Sequence, residues 1–154
     1  MPSTDEEIWR YSRIAELDMS AYKHGHLRTE TVGADSVRVT ESLAGIAMTS
    51  NPDIFAELNG ANADVISLRI PKGVVVEGAI HIVHHLEADG VVVYPRLVID
   101  AEENSEVTVI ETFISNDNIH SLVVPVLELR TGKSARVSYL TINQLGLNTW
   151  QIGH

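Results

Sequence analysis

Pro95-Arg96-Leu97-Val98-Ile99 and Pro125-Val126-Leu127-Glu128-Leu129 decide how this chain reads, because each opens the same strand-turn-strand unit at an offset of 125 − 95 = 30 residues. The offset holds through the rest of both copies: Ser105 lies over Ala135, Val107 over Val137 and Ile110 over Leu140. Each copy turns through a short polar link, Glu102-Glu103-Asn104-Ser105 in the first and Gly132-Lys133-Ser134-Ala135 in the second. Self-similarity at a fixed period of this size marks stacked units, each too small to bury its apolar face without its neighbours. The repeat therefore predicts a solenoid.

A third copy lies upstream, with Leu68 over Leu97 and Ile70 over Ile99 at an offset of 29, turning through Pro71-Lys72-Gly73. The units contain short β-branched strands and no helix-length apolar stripe, which points to a parallel β-helix over leucine-rich or ankyrin arrays. A sandwich or jelly roll of hairpins would give the same regular spacing of short strands. On the solenoid reading Leu97, Ile99, Val107, Val109, Leu127, Leu129 and Val137 are core.

Composition narrows the function classes. With 154 residues and 44% apolar content the chain is long enough for one buried core. Its formal net charge of −10 divides into −6 before Val65 (11 acidic, 5 basic) and −4 from there on (10 acidic, 6 basic). Neither part offers the clustered Lys and Arg that nucleic acid or an anionic membrane surface requires. No apolar run reaches transmembrane length and the first residues lack the pattern of a signal peptide, so the expected location is cytoplasmic. Cysteine is absent, which removes disulfides, thiol nucleophiles and thiolate ligands for zinc or iron–sulfur clusters.

From the start of the chain, Thr4 and Glu7 are placed as a capping box for a short helix whose apolar stripe is Ile8, Tyr11 and Ile14. Residues 18–36 show no sustained period and read as loop. Val37 to Val39 suits a short strand and Glu41 to Met48 a helical turn. Asn51-Pro52-Asp53 then starts a helix with Ile54, Phe55 and Leu58 on its apolar face, ending at Asn59-Gly60. Beyond Asp64 the period changes to two. The predicted organisation is a small helical or mixed region over 1–64 and coils of a parallel β-helix over 65–154, mainly β overall.

The candidate chemistry is sparse. His81 and His85 share one face of a strand but lie roughly 13 Å apart, and His84 points to the other face, so one metal cannot bridge them. They read as half-exposed strand histidines. His24 and His26 form only a pair, short of the three ligands a catalytic metal needs, and read as surface loop residues. Asp100, Glu102, Glu103 and Glu106 crowd one turn, which reads as solvated, although carbohydrate-active β-helices use such carboxylates. Phosphate loops, nucleophile elbows and metalloprotease motifs do not occur. No catalytic, cofactor-binding or metal-binding residue is assigned, and the chain reads as a non-enzymatic scaffold.

Four segments then carry a resemblance, in order along the chain. Glu7-Ile8-Trp9-Arg10-Tyr11-Ser12 resembles the Trp-Arg/Lys-Tyr-Thr signature at the start of SufD proteins, and Ala56-Glu57-Leu58-Asn59-Gly60-Ala61 their Leu-Asn-x-Ala segment. Ile70-Pro71-Lys72-Gly73-Val74 resembles the turn, and Ser105-Glu106-Val107-Thr108-Val109-Ile110-Glu111 the strand, shared by the SufB/SufD family. The resemblance implies a right-handed parallel β-helix acting in iron–sulfur cluster assembly with SufB-like and SufC-like partners. It also implies a longer protein, since family members run on through further coils into a helical domain, so the chain reads as truncated at His154. The family's SufC-binding helices and its Cys and His positions belong to that later part, and none transfers to a residue here. A carbohydrate-active enzyme using the turn from Asp100 to Glu106, or a free-standing interaction module, are the rival readings. Because nothing after Ile142 looks like a polar cap, while Leu145, Leu147, Trp150 and Ile152 add apolar surface, the isolated chain is expected to form a homo-oligomer through its C-terminal strands.

Overall fold

The computed structural model describes residues 13–40 and 53–153. The capping box at Thr4 and Glu7, the stripe from Ile8 to Tyr11 and the turn expected at Glu41 to Met48 lie outside them. The described chain is mainly β, with two 3-10 turns (Ile14–Glu16 and Met19–Ala21), one helix and twelve strands.

Three four-stranded sheets share a core. The sheet that carries the repeat twice contains β5 (Val75–Leu86), β8 (Glu106–Ser115) and β11 (Arg136–Gln144), in parallel, with β2 (Arg28–Val32) antiparallel to β5 at its edge. The second contains β4 (Asp64–Ile70), β7 (Pro95–Ala101) and β10 (Val126–Thr131), in parallel, with β3 (Arg38–Thr40) antiparallel to β4. The third is parallel throughout: β1 (Lys23–His24), β6 (Val91–Val93), β9 (Leu122–Val123) and β12 (Trp150–Gln151). The expected 30-residue spacing is the observed register of two sheets, with Leu97 beside Leu127 and Val107 beside Val137.

Period-two alternation explains the core. Leu68, Ile70, Leu97 and Ile99 from the second sheet meet Ile80, Ile82, Val107 and Val109 from the first, all within 2% of fully buried. Each such side chain contributes about 1.5–3 kcal/mol by leaving water. Val93 and Val123 of the third sheet join Leu86, Phe113 and Ile119 in a neighbouring cluster. Val92 and Leu122 of that third sheet, with Val124 just beyond it, pack with Ile14, Leu17, Phe55 and Ile152.

Each strand pair turns at the same place. Gly73 (φ 74°), Asn104 (φ 58°) and Ser134 (φ 58°) take the left-handed conformation at equivalent points of three successive turns. In the first two, the N–H of that residue donates to the carbonyl one turn on, Gly73 to Glu103 and Asn104 to Lys133, both at 3.0 Å. The Pro71-Lys72-Gly73 turn closes as expected, Val74 donating to the Pro71 carbonyl at 3.1 Å.

Several expectations are corrected. The third copy aligns at 31 residues, not 29: Leu68 pairs with Ile99 and Ile70 with Ala101. Its second strand begins at 31 (Val75 beside Glu106) and reaches 29 only from Ala79 beside Thr108, because an irregularity at Gly78 (φ 78°) absorbs two residues. A shift of two keeps every side chain on its original face, so the core pattern survived the error. Residues 18–36 hold a 3-10 turn and strands β1 and β2 in place of loop; their polar edge strands carry no apolar period, and pairing is supplied by β5 and β6. The short strand expected at Val37 to Val39 is β3, one residue later. The helix, α1 (Ile54–Asn62), is capped by Asp53, whose carboxylate accepts from the Ala56 N–H at 2.8 Å, and runs past Asn59-Gly60 because Asn59 is anchored in the core. Its buried face is Phe55, Ala56 and Asn59, whereas Ile54 is exposed.

Leu129 is 49% exposed, against the core assignment, and Leu127 and Val137 are half-buried, since β10 and β11 are the edges of their sheets among the described residues. After Ile142 the chain packs back: β12 continues the third sheet and Ile152 is buried, leaving Leu147 exposed.

Candidate functional site

Alternation along β5 turns Ile80, Ile82, His84 and Leu86 inward and His81, Val83 and His85 outward. The opposite-face geometry expected of the histidines is therefore present. The half-exposed reading fails for His84, which is 4% exposed. Burying an imidazole requires partners for both nitrogens. Nδ1 of His84 lies 2.8 Å from the Thr29 hydroxyl on β2, and Nε2 lies 2.9 Å from Glu111 Oε1 on β8. Glu111, also 4% exposed, accepts a 2.5 Å bond from the Tyr139 hydroxyl on β11. The His84 ring stacks on Phe113 at 4.8 Å. Four strands of one sheet thus contribute one residue each to a polar column through an apolar core. Burial, and then the Glu111 carboxylate, push the Tyr139 hydroxyl well above its ordinary pKa, because a phenolate beside a carboxylate is doubly disfavoured.

A cleft opens at each end of this column. The first, ≈ 400 Å³, is lined by His26, Thr29, Thr31, Asp64 and His84 among others. The second, ≈ 350 Å³, is lined by Glu111, Phe113, Leu127, Tyr139 and Thr141 among others. A separate buried polar group sits under α1: the Asn59 amide donates to the Pro95 and Val124 carbonyls at 2.9 and 2.8 Å, and Arg96 binds both Asn59 Oδ1 and Glu128. That arrangement ties helix to sheet and is structural.

The remaining candidates are surface features. His24 and His26 are exposed with ring centroids 5.0 Å apart, and His26 pairs with Asp64 at 3.0 Å. Among the described residues no three His, Cys, Asp or Glu side chains form a group able to hold a metal ion. The turn carboxylates are engaged by cations: Glu102 with Arg69, Glu103 with Lys72, both at 2.6 Å, Glu106 with Arg136 at 3.6 Å, and Asp100 with Arg69 at 4.0 Å. The Arg69 guanidinium, then the Lys72 N–H, lower the Glu102 pKa.

Reading the sequence missed Thr29, Glu111 and Tyr139. The signal was present: Glu111 follows Val107 and Val109 at steps of two, so the same alternation that predicts those two as core places a carboxylate there.

The register and the buried rows define a mainly β chain of stacked strands, and comparison with known proteins gives partial likenesses. The family described as SUF system FeS cluster assembly, SufBD core domain, matches residues 81–154, a little under half of the chain. The iron-sulfur cluster assembly protein SufD of Bacillus subtilis (strain 168) is 33% identical over 86 residues, 54% of this chain and 20% of that relative. The chain therefore spans a small part of the relative's length. No solved structure matches it significantly.

Proposed function

We propose that this chain is a SufD-like, non-enzymatic scaffold in iron–sulfur cluster assembly, working in the cytoplasm with SufB-like and SufC-like partners. The observation that carries this reading is the coincidence of the family-matched segment, 81–154, with strands β7 to β11 in parallel register at 30 residues. On this reading residues 65–154 are the first coils of a right-handed parallel β-helix, and residues 1–64 form the N-terminal region whose β2 and β3 lie antiparallel against it. A rigid stack with few titratable groups inside suits a scaffold. No described helix is long and apolar enough to cross a membrane.

The edges of β10 and β11, beside exposed Leu129 and Leu140, support self-association of the isolated chain, most simply as a two-fold dimer. Sedimentation should show a dimer that Leu140→Asp dissociates, and a monomer at tens of micromolar would remove that part of the reading. The scaffold role is tested by co-expression with SufB-like and SufC-like proteins from the same organism. Copurification of either supports it. A folded chain that retains neither overturns it.

A further inference from the structure

We propose that Thr29 is a base-activated hydroxyl that accepts an acyl group from a small activated acyl donor, an aryl ester or thioester, entering the first cleft. The proposal rests on the relation of three groups and on the space beside them. Thr29 is exposed on an edge strand and lines the ≈ 400 Å³ cleft, so a ligand can reach its oxygen. Its Oγ1 is 2.8 Å from His84 Nδ1, and His84 is oriented from behind by Glu111 at 2.9 Å. A hydroxyl bonded to an imidazole that a carboxylate orients is the arrangement by which proteins activate an oxygen nucleophile.

The hydrogen-bond network assigns the tautomer. Glu111 accepts the Tyr139 O–H on one oxygen and the His84 Nε2–H on the other, which leaves the Nδ1 lone pair facing the Thr29 O–H. Burial of His84 and Glu111 keeps water from competing for these bonds and strengthens them. Packing alone needs the imidazole's partners, but not an accessible cleft at the threonine. In the step itself, Thr29 Oγ1 forms a bond to the acyl carbon and its proton passes to His84 Nδ1. The acyl carbon's bond to the aryl oxide or thiolate then breaks, and that leaving group takes the proton from His84. The products are an ester on Thr29 and a free phenol or thiol.

Incubation of the chain with p-nitrophenyl acetate, followed by peptide mass spectrometry, tests this. The expected result is a burst of p-nitrophenolate equal to the chain concentration, with the acetyl group on Thr29. Thr29→Ser should keep the burst, whereas Thr29→Val should abolish it, and His84→Gln should slow acetylation of Thr29 by about 100-fold or more. Thr29→Val leaves buried His84 Nδ1 without its partner and is expected to lower the melting temperature, so the native chain itself carries the test: the acetyl group must fall on Thr29. Acetyl groups found only on Lys23, Lys72 or Lys133, or Thr29 acetylation that proceeds equally fast in His84→Gln, would overturn the proposal.

Discussion

Ile99 and Leu129 stand one strand apart at the same position of the repeat, yet Ile99 is fully buried and Leu129 is 49% exposed. The neighbouring pair repeats the contrast: Val109 on β8 is fully buried, whereas Tyr139 beside it on β11 is only half-buried. Sequence identity of position is the same in both strands, so the difference comes from neighbours. β7 and β8 have a strand on each side, while β10 and β11 have one on only one side among the described residues. An edge strand packs against one neighbouring strand instead of two and so buries less of its apolar surface.

Glu111 and its repeat equivalent Thr141 give the strongest test of that contrast. Glu111→Leu leaves the His84 and Tyr139 donors without their shared acceptor inside the core and should cost about 2–6 kcal/mol, at about 1–3 kcal/mol for each unsatisfied group. Thr141→Leu, at an exposed edge, should stay within about 0.5 kcal/mol. Denaturant titrations of both proteins measure the gap, and equal losses would mean that a strand's place in the sheet does not govern energetics. Next comes the apolar pair. Ile99→Ala should cost about 2–5 kcal/mol, Leu129→Ala less than about 1 kcal/mol, and half-buried Leu127→Ala should fall between them. A Leu129→Ala protein that melts as low as Ile99→Ala would show that the last strands are covered in solution.

Alkaline titration sharpens the comparison further. The pKa of Tyr139 is raised by folding, so its contribution is fully present below the ordinary tyrosine value and is lost as pH rises above it. Stability should fall from about pH 10 upward, and Tyr139→Phe should remove part of that fall. Glu102 behaves oppositely. Its pKa is lowered by Arg69, so its contribution is present above the ordinary carboxylate range and is lost as pH falls below it. Arg69→Met should flatten the acid side of the stability profile in a melt series. A small effect is also expected in the turns, where Ser134→Gly relieves a left-handed φ that Asn104 tolerates better. Its net change should be under about 1 kcal/mol, with relief of strain offset by added freedom in the unfolded chain.

By itself the sequence determined the repeat, the strand faces and the turn positions. Those are local properties: a period of two fixes which side chains share a face, and a 30-residue spacing fixes which strands are equivalent. Tertiary structure decided the rest. The register of the upstream copy's second strand depended on a Gly78 irregularity that changes no hydrophobic pattern. The strands within residues 18–36 exist because β5 and β6 offer backbone partners, and a polar edge strand carries no period of its own. Above all, Thr29, His84, Glu111 and Tyr139 are far apart along the chain and come together only through cross-strand contact. A carboxylate at an inward position is visible in the sequence, but the imidazole and hydroxyls that satisfy it are chosen by how the sheet is stacked.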